Sequence, residues 1–151
     1  MRIIVSIEGL DDLGKRFRDF TSEADQLIQE KMLDSAIENI VTVAKALAPK
    51  KTGALEASIE ARLGEEPNQI EIVSDKFYAP FLEYGTKPHE IDASSARALH
   101  WAKDGQDFFA KSVQNPGTEE GKFSFIGPAI QEGLDKLAED VKETIISWLS
   151  G

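Results

Sequence analysis

A long stripe of apolar residues in the first third of the chain most constrains the fold. The spacing of these residues predicts one amphipathic helix over residues 24–47. Thr21 and Ser22, followed by acidic residues, favour a helix start, and Pro49 ends the helix by disfavouring the α conformation at Ala48. Another element must cover such a stripe. Its members are Ala24, Leu27, Ile28, Leu33, Ile37, Ile40, Val41, Ala44 and Leu47.

The segments on either side of this helix predict strands and turns. Residues 2–8 are rich in β-branched side chains and predict a first strand, whereas the apolar spacing over 10–20 predicts a short helix. Residues 54–63 and 69–74 predict an antiparallel pair, because the link 64–68 has the composition of a turn.

The second half of the chain predicts a hairpin and a final helix. Asp104-Gly105 is a strong two-residue turn signal between 99–102 and 106–113, and Pro128 suits the first position of a helix. The element order predicts a single α+β domain over residues 1–151, an antiparallel β-sheet packed by a long helix in the N-terminal half and by a C-terminal helix. The stripe of the last helix is Ile130, Leu134, Leu137, Val141, Ile145 and Trp148.

Size and charge narrow the classes of function. A chain of 151 residues with 41% hydrophobic content fits one domain with a core. The absence of cysteine excludes disulfides, thiolate metal sites and a cysteine nucleophile. No apolar run approaches the roughly 20 residues of a membrane span, and the first residues predict a strand, not a secretion signal. The net charge of −10 argues against wrapping DNA by phosphate neutralisation. An acidic surface suits a conduit for DNA, or simply solubility.

The densest cluster of aromatic and turn-forming residues is the segment 78–86, Tyr-Ala-Pro-Phe-Leu-Glu-Tyr-Gly-Thr. Pro80 disfavours the α conformation at Ala79, and Gly85 suits a positive φ angle. The segment therefore predicts a sharp corner that presents aromatic rings and one carboxylate.

The rings of this corner have two interpretations. Tyr78, Phe81 and Tyr84 are three residues apart, so one helical turn would place them on one side. We expect Phe81 and Leu82 to lie in the core. Tyrosine is common at interfaces, so either Tyr78 or Tyr84 is a candidate for contact with another subunit.

Glu83 is the acidic residue with the widest range of interpretations. If burial raised its pKa, Glu83 could act as a general acid. The favoured alternative is structural: its carboxylate accepts backbone hydrogen bonds around the glycine turn, or pairs with an arginine or lysine of a neighbouring subunit.

The remaining sequence contains no recognisable catalytic constellation. Neither a phosphate-binding glycine loop nor a Gly-x-Ser-x-Gly elbow is present. His89, Glu90 and Asp92 could in principle hold a metal, but the second histidine of a zinc-protease motif is missing, and we expect a solvated loop. His100, beside Trp101, is expected in a strand as a partly buried, hydrogen-bonded side chain. We therefore expect no catalytic residues, no cofactor and no metal.

Together, these segments resemble the head–tail joining proteins of long-tailed phages and prophages, also called tail-completion or neck proteins. The resemblance covers almost the whole chain. It is carried by the order and spacing of the following residues: Ala48-Pro49, Thr52-Gly53-Ala54-Leu55, Ser58-Ile59, Tyr78-Ala79, Phe81, Glu83-Tyr84-Gly85-Thr86, Ala98-Leu99, Trp101, Phe109-Ala110-Lys111, Val113, Pro116-Gly117-Thr118, Phe125 and Pro128-Ala129.

The resemblance implies a structural, non-enzymatic protein of the virion neck, assembled in the host cytoplasm. It implies a sixfold ring of identical subunits between the portal–adaptor complex and the tail. The other partners would be the head–tail adaptor and the tail terminator or tail-tube proteins. Genomic DNA would pass through without sequence-specific binding, and no membrane is involved. The expected subunit or docking interface comprises Tyr78, Phe81, Glu83, Tyr84, Gly85, Thr86, Pro116 and Gly117.

The chain departs from the family pattern at two positions. Asn115 stands where the family usually has histidine, and Ser124 stands where it tends to have proline. The loop 115–122 is polar and glycine-rich, and is expected either to be a mobile surface loop or to order only against a partner.

Two other classes of function remain open at this point. A small hydrolase or nuclease could use Glu83, Glu90 and Asp92 with a divalent ion, and would show metal-dependent stabilisation and turnover. A host regulatory binding domain is the other, and a gene position between capsid and tail-tube genes would exclude it.

Overall fold

The structure is a computed structural model that describes residues 1–6, 22–66 and 68–150. The short helix predicted over 10–20, the end of the first strand and the cap residue Thr21 lie outside the described residues.

The predicted long helix is present, with a feature that the sequence pattern did not predict. Helix α1 runs as an α-helix over Ser22–Ala36, as a π-helix over Ile37–Val41 and again as an α-helix over Thr42–Leu47. In the π segment the backbone N–H of Thr42 donates to the carbonyl of Ile37. The helix ends at Ala48, whose ψ angle of 134° is extended because a proline follows.

The buried row of α1 is narrower than the predicted stripe. Every fourth residue from Ala24 to Ala48 is buried. In a regular helix of 3.6 residues per turn, a row with this spacing would turn gradually away from the core. The longer turn of the π segment counteracts that drift, so one row stays on the core side. Leu27, Ile37 and Leu47 lie off the row and are exposed, contrary to prediction. The row is Ala24, Ile28, Met32, Ala36, Ile40, Ala44 and Ala48.

The central sheet has three antiparallel strands in the order β1 (Arg2–Ser6), β3 (Gln69–Val73), β2 (Glu60–Leu63). The turn at 64–68 is confirmed, since Gly64 N–H donates to the Gln69 carbonyl at 2.8 Å. The strand predicted from residue 54 is wrong in its first half. Ala54–Ala57 forms a short helix α2, because alanine, leucine and glutamate favour a helix there.

The two faces of this sheet differ. Ile70 and Ile72 point into the core against α1. Glu71 points to the opposite face and is 3% exposed. Its carboxylate pairs with Arg2 at 3.3 Å and Arg62 at 2.9 Å, which compensates its burial.

A short helix and two ladders follow the sheet. Helix α3 spans Ala79–Tyr84. Strand β4 (His89–Asp92) pairs with β7 (Ser112–Asn115), and β5 (Leu99–Lys103) pairs with β6 (Gln106–Ala110). The predicted hairpin turn is confirmed: Asp104 and Gly105 both have positive φ angles, 52° and 77°. This matches a turn of type I′.

Helix α4 (Ile126–Ser150) packs against α1. A polar cluster joins them: the Ser35 hydroxyl donates to Asp140 at 2.5 Å, and the Asn39 amide donates to the same carboxylate oxygen at 3.2 Å. Gly133 allows close contact, because a Cβ atom there would collide with the backbone oxygen of Asn39. The α+β class, with antiparallel strands and two long helices, is thus confirmed.

Among the described residues, no helix is both long enough and apolar enough to cross a membrane.

Candidate functional site

The predicted corner is a helical turn that ends abruptly. Ala79 begins α3 in a helical conformation, contrary to prediction. Pro80 falls in the first turn, where the missing N–H would have had no helical acceptor. Gly85 ends the helix with φ 73° and ψ −174°, so its predicted positive φ is confirmed. That combination of angles is essentially restricted to glycine.

Some side chains at the corner pack against the core, and others are exposed to solvent. Phe77, Phe81 and Tyr84 are 83%, 52% and 56% exposed. Tyr78 and Leu82 pack against the core. Phe81 was predicted to be buried, and that prediction is wrong, because it lies four residues from Phe77 and three from Tyr84 on the outer side of the turn. We call Phe77, Phe81 and Tyr84 the aromatic ridge.

Glu83 faces inward from the same turn and caps helix α4. It is 6% exposed. Its carboxylate accepts hydrogen bonds from the Ser124 hydroxyl at 2.6 Å and from the N–H groups of Phe125, Ile126 and Gly127 at 3.0, 3.0 and 2.7 Å. The first amides of a helix have no partner within it, and a negative charge is favourable at that end. One side chain therefore joins the corner to the C-terminal helix.

The direction in which the pKa of Glu83 is shifted argues against a role as a general acid at neutral pH. Burial pushes this pKa upward, but the hydrogen bonds from Ser124 and from the backbone of Phe125, Ile126 and Gly127 outweigh it. The net pKa lies below the ordinary value of 4.5. The carboxylate is thus ionised, and four donors occupy it. Glu83 does accept backbone hydrogen bonds, as expected, but the donors lie at and just before the start of α4 and not around the glycine turn.

A short bridge directly after the corner ties it to a distant loop. Thr86 and Thr118 exchange backbone hydrogen bonds of 3.0 and 2.9 Å. Each follows a glycine of positive φ, Gly85 at 73° and Gly117 at 78°. A Cβ atom on either glycine would collide with the threonine carbonyl of the other pair. We call these four residues the Gly-Thr clasp. The first half of the loop 115–122 is therefore held by hydrogen bonds to the end of the corner, and Pro116 is exposed next to the clasp.

The residues between Thr86 and Thr118, 87–117, form a projecting segment that we call the arm and that ends with Gly117 of the clasp. No buried apolar residue of the described chain lies within it. The two ladders form one ribbon, because Ala93 N–H donates to the Lys111 carbonyl at 2.8 Å where they meet. This ribbon makes up most of the arm.

The arm carries an aromatic pair on each face. Trp101 stacks on Phe108 with centroids 5.7 Å apart, and His100 stacks on Phe109 at 4.7 Å. His100 also bonds Asp107 through Nε2 at 2.9 Å. The prediction that His100 lies in a strand and makes a hydrogen bond is thus confirmed. The expected partial burial is wrong, since His100 is exposed on a ribbon that stands away from the core.

The candidate metal residues do not form a cluster. His89, Glu90 and Asp92 lie exposed on β4, and Glu83 is occupied by its four donors. Across residues 1–6, 22–66 and 68–150, no group of three or more such side chains is placed to hold a metal ion.

Both departures from the family pattern have local roles. Ser124 supplies the shortest hydrogen bond to Glu83, and Asn115 Oδ1 accepts the Gly117 N–H at 2.8 Å, which supports the turn of the clasp. The sequence reasoning missed Ser124 as a partner of Glu83. A serine just before a helix was the available signal.

Comparison with known proteins gives one family match. A family model described as "Bacteriophage HK97-gp10, putative tail-component" matches residues 11–85, a segment that includes α1, strands β2 and β3 of the central sheet and the corner up to Gly85. Comparison with curated proteins and with solved structures gave no match. The chain therefore belongs to the HK97-gp10-like family of phage tail components, a head–tail joining and tail-completion family, and is a virion protein whose partners are other virion proteins.

Proposed function

We propose that this protein is a structural subunit of the virion neck, where copies of the chain form a ring between the portal–adaptor complex and the tail. Family membership supports a place in the particle. The observation that carries the proposal is the set of exposed aromatic side chains, Phe77, Phe81 and Tyr84, which lie outside the core cluster of the described residues. Exposed apolar patches of this kind are typical of interaction surfaces.

In this proposal the predicted interface residues have two different roles. Phe81 and Tyr84, with Phe77, contact a partner directly, and Pro116 lies exposed next to Gly117 of the clasp. The other five support that surface from within, by packing, by capping α4 or by forming the clasp. They are Tyr78, Glu83, Gly85, Thr86 and Gly117.

The ring is proposed to have six subunits and to act without catalysis. Its other partners are the head–tail adaptor and the tail terminator or tail-tube proteins, and DNA passes through without specific binding. The chain's net charge of −10 disfavours retention of DNA by the wall of such a passage.

Complementation of a phage that lacks the gene tests this function. We expect lysates without the gene to contain filled heads and separate tails, and the wild-type gene to restore joined particles counted by electron microscopy. Density for the chain should lie at the head–tail junction. Normal joining without the gene, or metal-dependent turnover by the purified chain, would overturn the proposal.

A double variant, Phe81→Ala with Tyr84→Ala, tests the role of the ridge. We expect it to lose joined particles while keeping wild-type thermal unfolding, because both rings are exposed. The matched control is Ile146→Ala with Leu149→Ala, which removes similarly exposed apolar side chains, 51% and 57%, from α4. If both double variants join heads to tails equally well, the ridge is not a contact surface.

A further inference from the structure

The arm and the aromatic ridge are two exposed aromatic surfaces, which the first half of the clasp separates along the chain. We propose that the arm of one copy docks, through its Trp101 and Phe108 face, on the aromatic ridge of a second copy of this chain. The inference rests on the self-assembly proposed above and adds which surfaces meet.

Within the described part of the chain, both surfaces are exposed to solvent. In the described residues Trp101 stacks on Phe108, and the ridge ring Phe77 meets only Tyr78, edge to face at 5.4 Å. A two-stranded ribbon is marginally stable in water by itself. A second layer against the arm would therefore stabilise it as well as join the subunits.

The arm is long enough to reach a neighbour. Its side 106–115 passes through β6, a bend at Lys111 and β7, and is at most about 30 Å long at about 3.3 Å per residue. A body of this size has a radius of gyration of about 14 Å. The hairpin tip at Asp104-Gly105 can thus cross most of an adjacent subunit.

The apolar area of the two surfaces is a substantial part of an interface. Trp101, Phe108 and Phe109 on the arm are 38%, 39% and 69% exposed, and the three ridge residues are at least half exposed. An aromatic side chain buries about 200 Å² when covered. Phe109 lies on the opposite face of the arm, so the five rings that can meet offer roughly 500–550 Å², against about 1,200 Å² for a small specific interface. Ribbon backbone and polar side chains supply the remainder.

Charge favours a second copy as the occupant. The arm is formally neutral, because its four basic residues balance four acidic ones. The rest of the chain, residues 1–86 and 118–151, is the body. It carries the whole net charge of −10, so the bodies of two copies repel each other. The arm has no net charge, so it can approach the acidic body of another copy without this electrostatic repulsion. The basic residues are Lys87, Arg97, Lys103 and Lys111, and the acidic ones are Glu90, Asp92, Asp104 and Asp107.

The contact is of the head-to-tail kind, since the arm and the ridge are different surfaces. Such contacts close into a ring when the rotation between subunits permits and otherwise extend as a filament. The arm-to-ridge contact therefore supplies the kind of interface that the proposed ring needs.

Disulfide trapping tests the contact cleanly, because the chain has no cysteine. Purified Phe77→Cys and Gln106→Cys chains are mixed at up to about 1 mM and oxidised. We expect a linked dimer of the two variants, at a yield about tenfold above a control mixture of Phe77→Cys with Ser147→Cys on α4. Adding Trp101→Ala and Phe108→Ala to the Gln106→Cys chain should abolish the excess. Thermal unfolding verifies that each variant is folded.

The outcomes separate this inference from the proposed function. Equal yields in the two mixtures, or no effect of the arm substitutions, would overturn the arm-to-ridge contact. If those substitutions still abolish joined particles, the arm docks on a different virion protein. If trapping succeeds but particles join normally without the gene, the contact stands and the neck function falls.

Discussion

At the scale of single residues, Glu83 connects two parts of the chain that are far apart in sequence. Its four donors lie 41 to 44 residues downstream. Three are amides that helix geometry leaves without partners. Replacing the carboxylate by an amide would bring an NH₂ group against N–H donors.

We expect Glu83→Gln to lower the free energy of unfolding at pH 7 by about 2–3 kcal/mol, because hydrogen bonds to a charged group are lost. Chemical denaturation measures the change. Glu30→Gln, an exposed substitution on α1, serves as the matched control and should be nearly neutral. A loss no larger than that of the control would contradict the capping role.

The same residue predicts a pH dependence. The pKa of Glu83 is lower in the folded protein than its ordinary value of 4.5. Its contribution is therefore fully present above the unfolded pKa and is lost as pH falls through the folded pKa. We expect the stability gap between wild type and Glu83→Gln to be constant from pH 7 to about 5.5 and to shrink below about 4.5. A gap that widens on acidification would contradict the lowered pKa.

Gly85 has a backbone conformation and a close contact that both exclude a side chain. We expect Gly85→Ala to cost about 2–4 kcal/mol in unfolding free energy, from strain and from collision with the Thr118 carbonyl. Gly53→Ala is the control, since Gly53 has φ 74° but open space around its Cβ position. It should cost only about 1–2 kcal/mol. Similar losses in the two variants would show that the clasp contact adds nothing.

The local conformation and hydrogen bonding of single residues could be predicted from the sequence, whereas the distant residues that they contact could not. A glycine with positive φ and a hydrogen-bonded Glu83 both followed from local chemistry. Phe81 was misplaced, because periodicity shows which residues share a side of a helix but not which side faces the core. The link from Glu83 to α4 depends on tertiary packing, which a local pattern does not contain.

At the scale of elements, the π segment of α1 and the glycine of α4 fit together. Gly133 lies against the backbone of Asn39 and the side chain of Ile40. In an exposed helix, glycine to alanine would stabilise by about 0.5–1 kcal/mol.

We expect the opposite sign for Gly133→Ala, a loss of about 1–3 kcal/mol, because the added methyl group separates the two long helices. Thermal unfolding with Ser147→Ala as an exposed helix control measures it. A gain in stability would mean that the helices do not pack closely at Gly133.

Long helices and the Asp-Gly hairpin could be predicted because their signals are periodic or local. Residues 54–57 were mistaken for a strand, since a four-residue apolar run is ambiguous between the two structures. The π segment could not be predicted either. It depends on how the row of buried residues meets α4 and the sheet.

At the scale of the whole molecule, the body and the arm are energetically separate. Among the described residues, none of 87–117 belongs to the core cluster or packs against it. Thr86 and Thr118 form a hydrogen-bonded antiparallel pair, whose Cα atoms lie about 5.5 Å apart. That is the spacing that a two-residue hairpin loop closes.

We expect a chain in which Asn-Gly replaces 87–117 to fold cooperatively, with a midpoint within about 5 °C of wild type. Circular dichroism and thermal unfolding measure this. The same chain should fail to join heads to tails. Loss of cooperative unfolding would show that the arm belongs to the folding unit.

The clasp gives the protein a form of evolutionary freedom. The family match ends at Gly85, where the arm begins. If the arm docks as proposed, a mutation in the ribbon would change what the subunit recognises and leave the folded body unaltered. Related phages could therefore exchange or lengthen this appendage to suit a new neighbour, while inheriting the same platform.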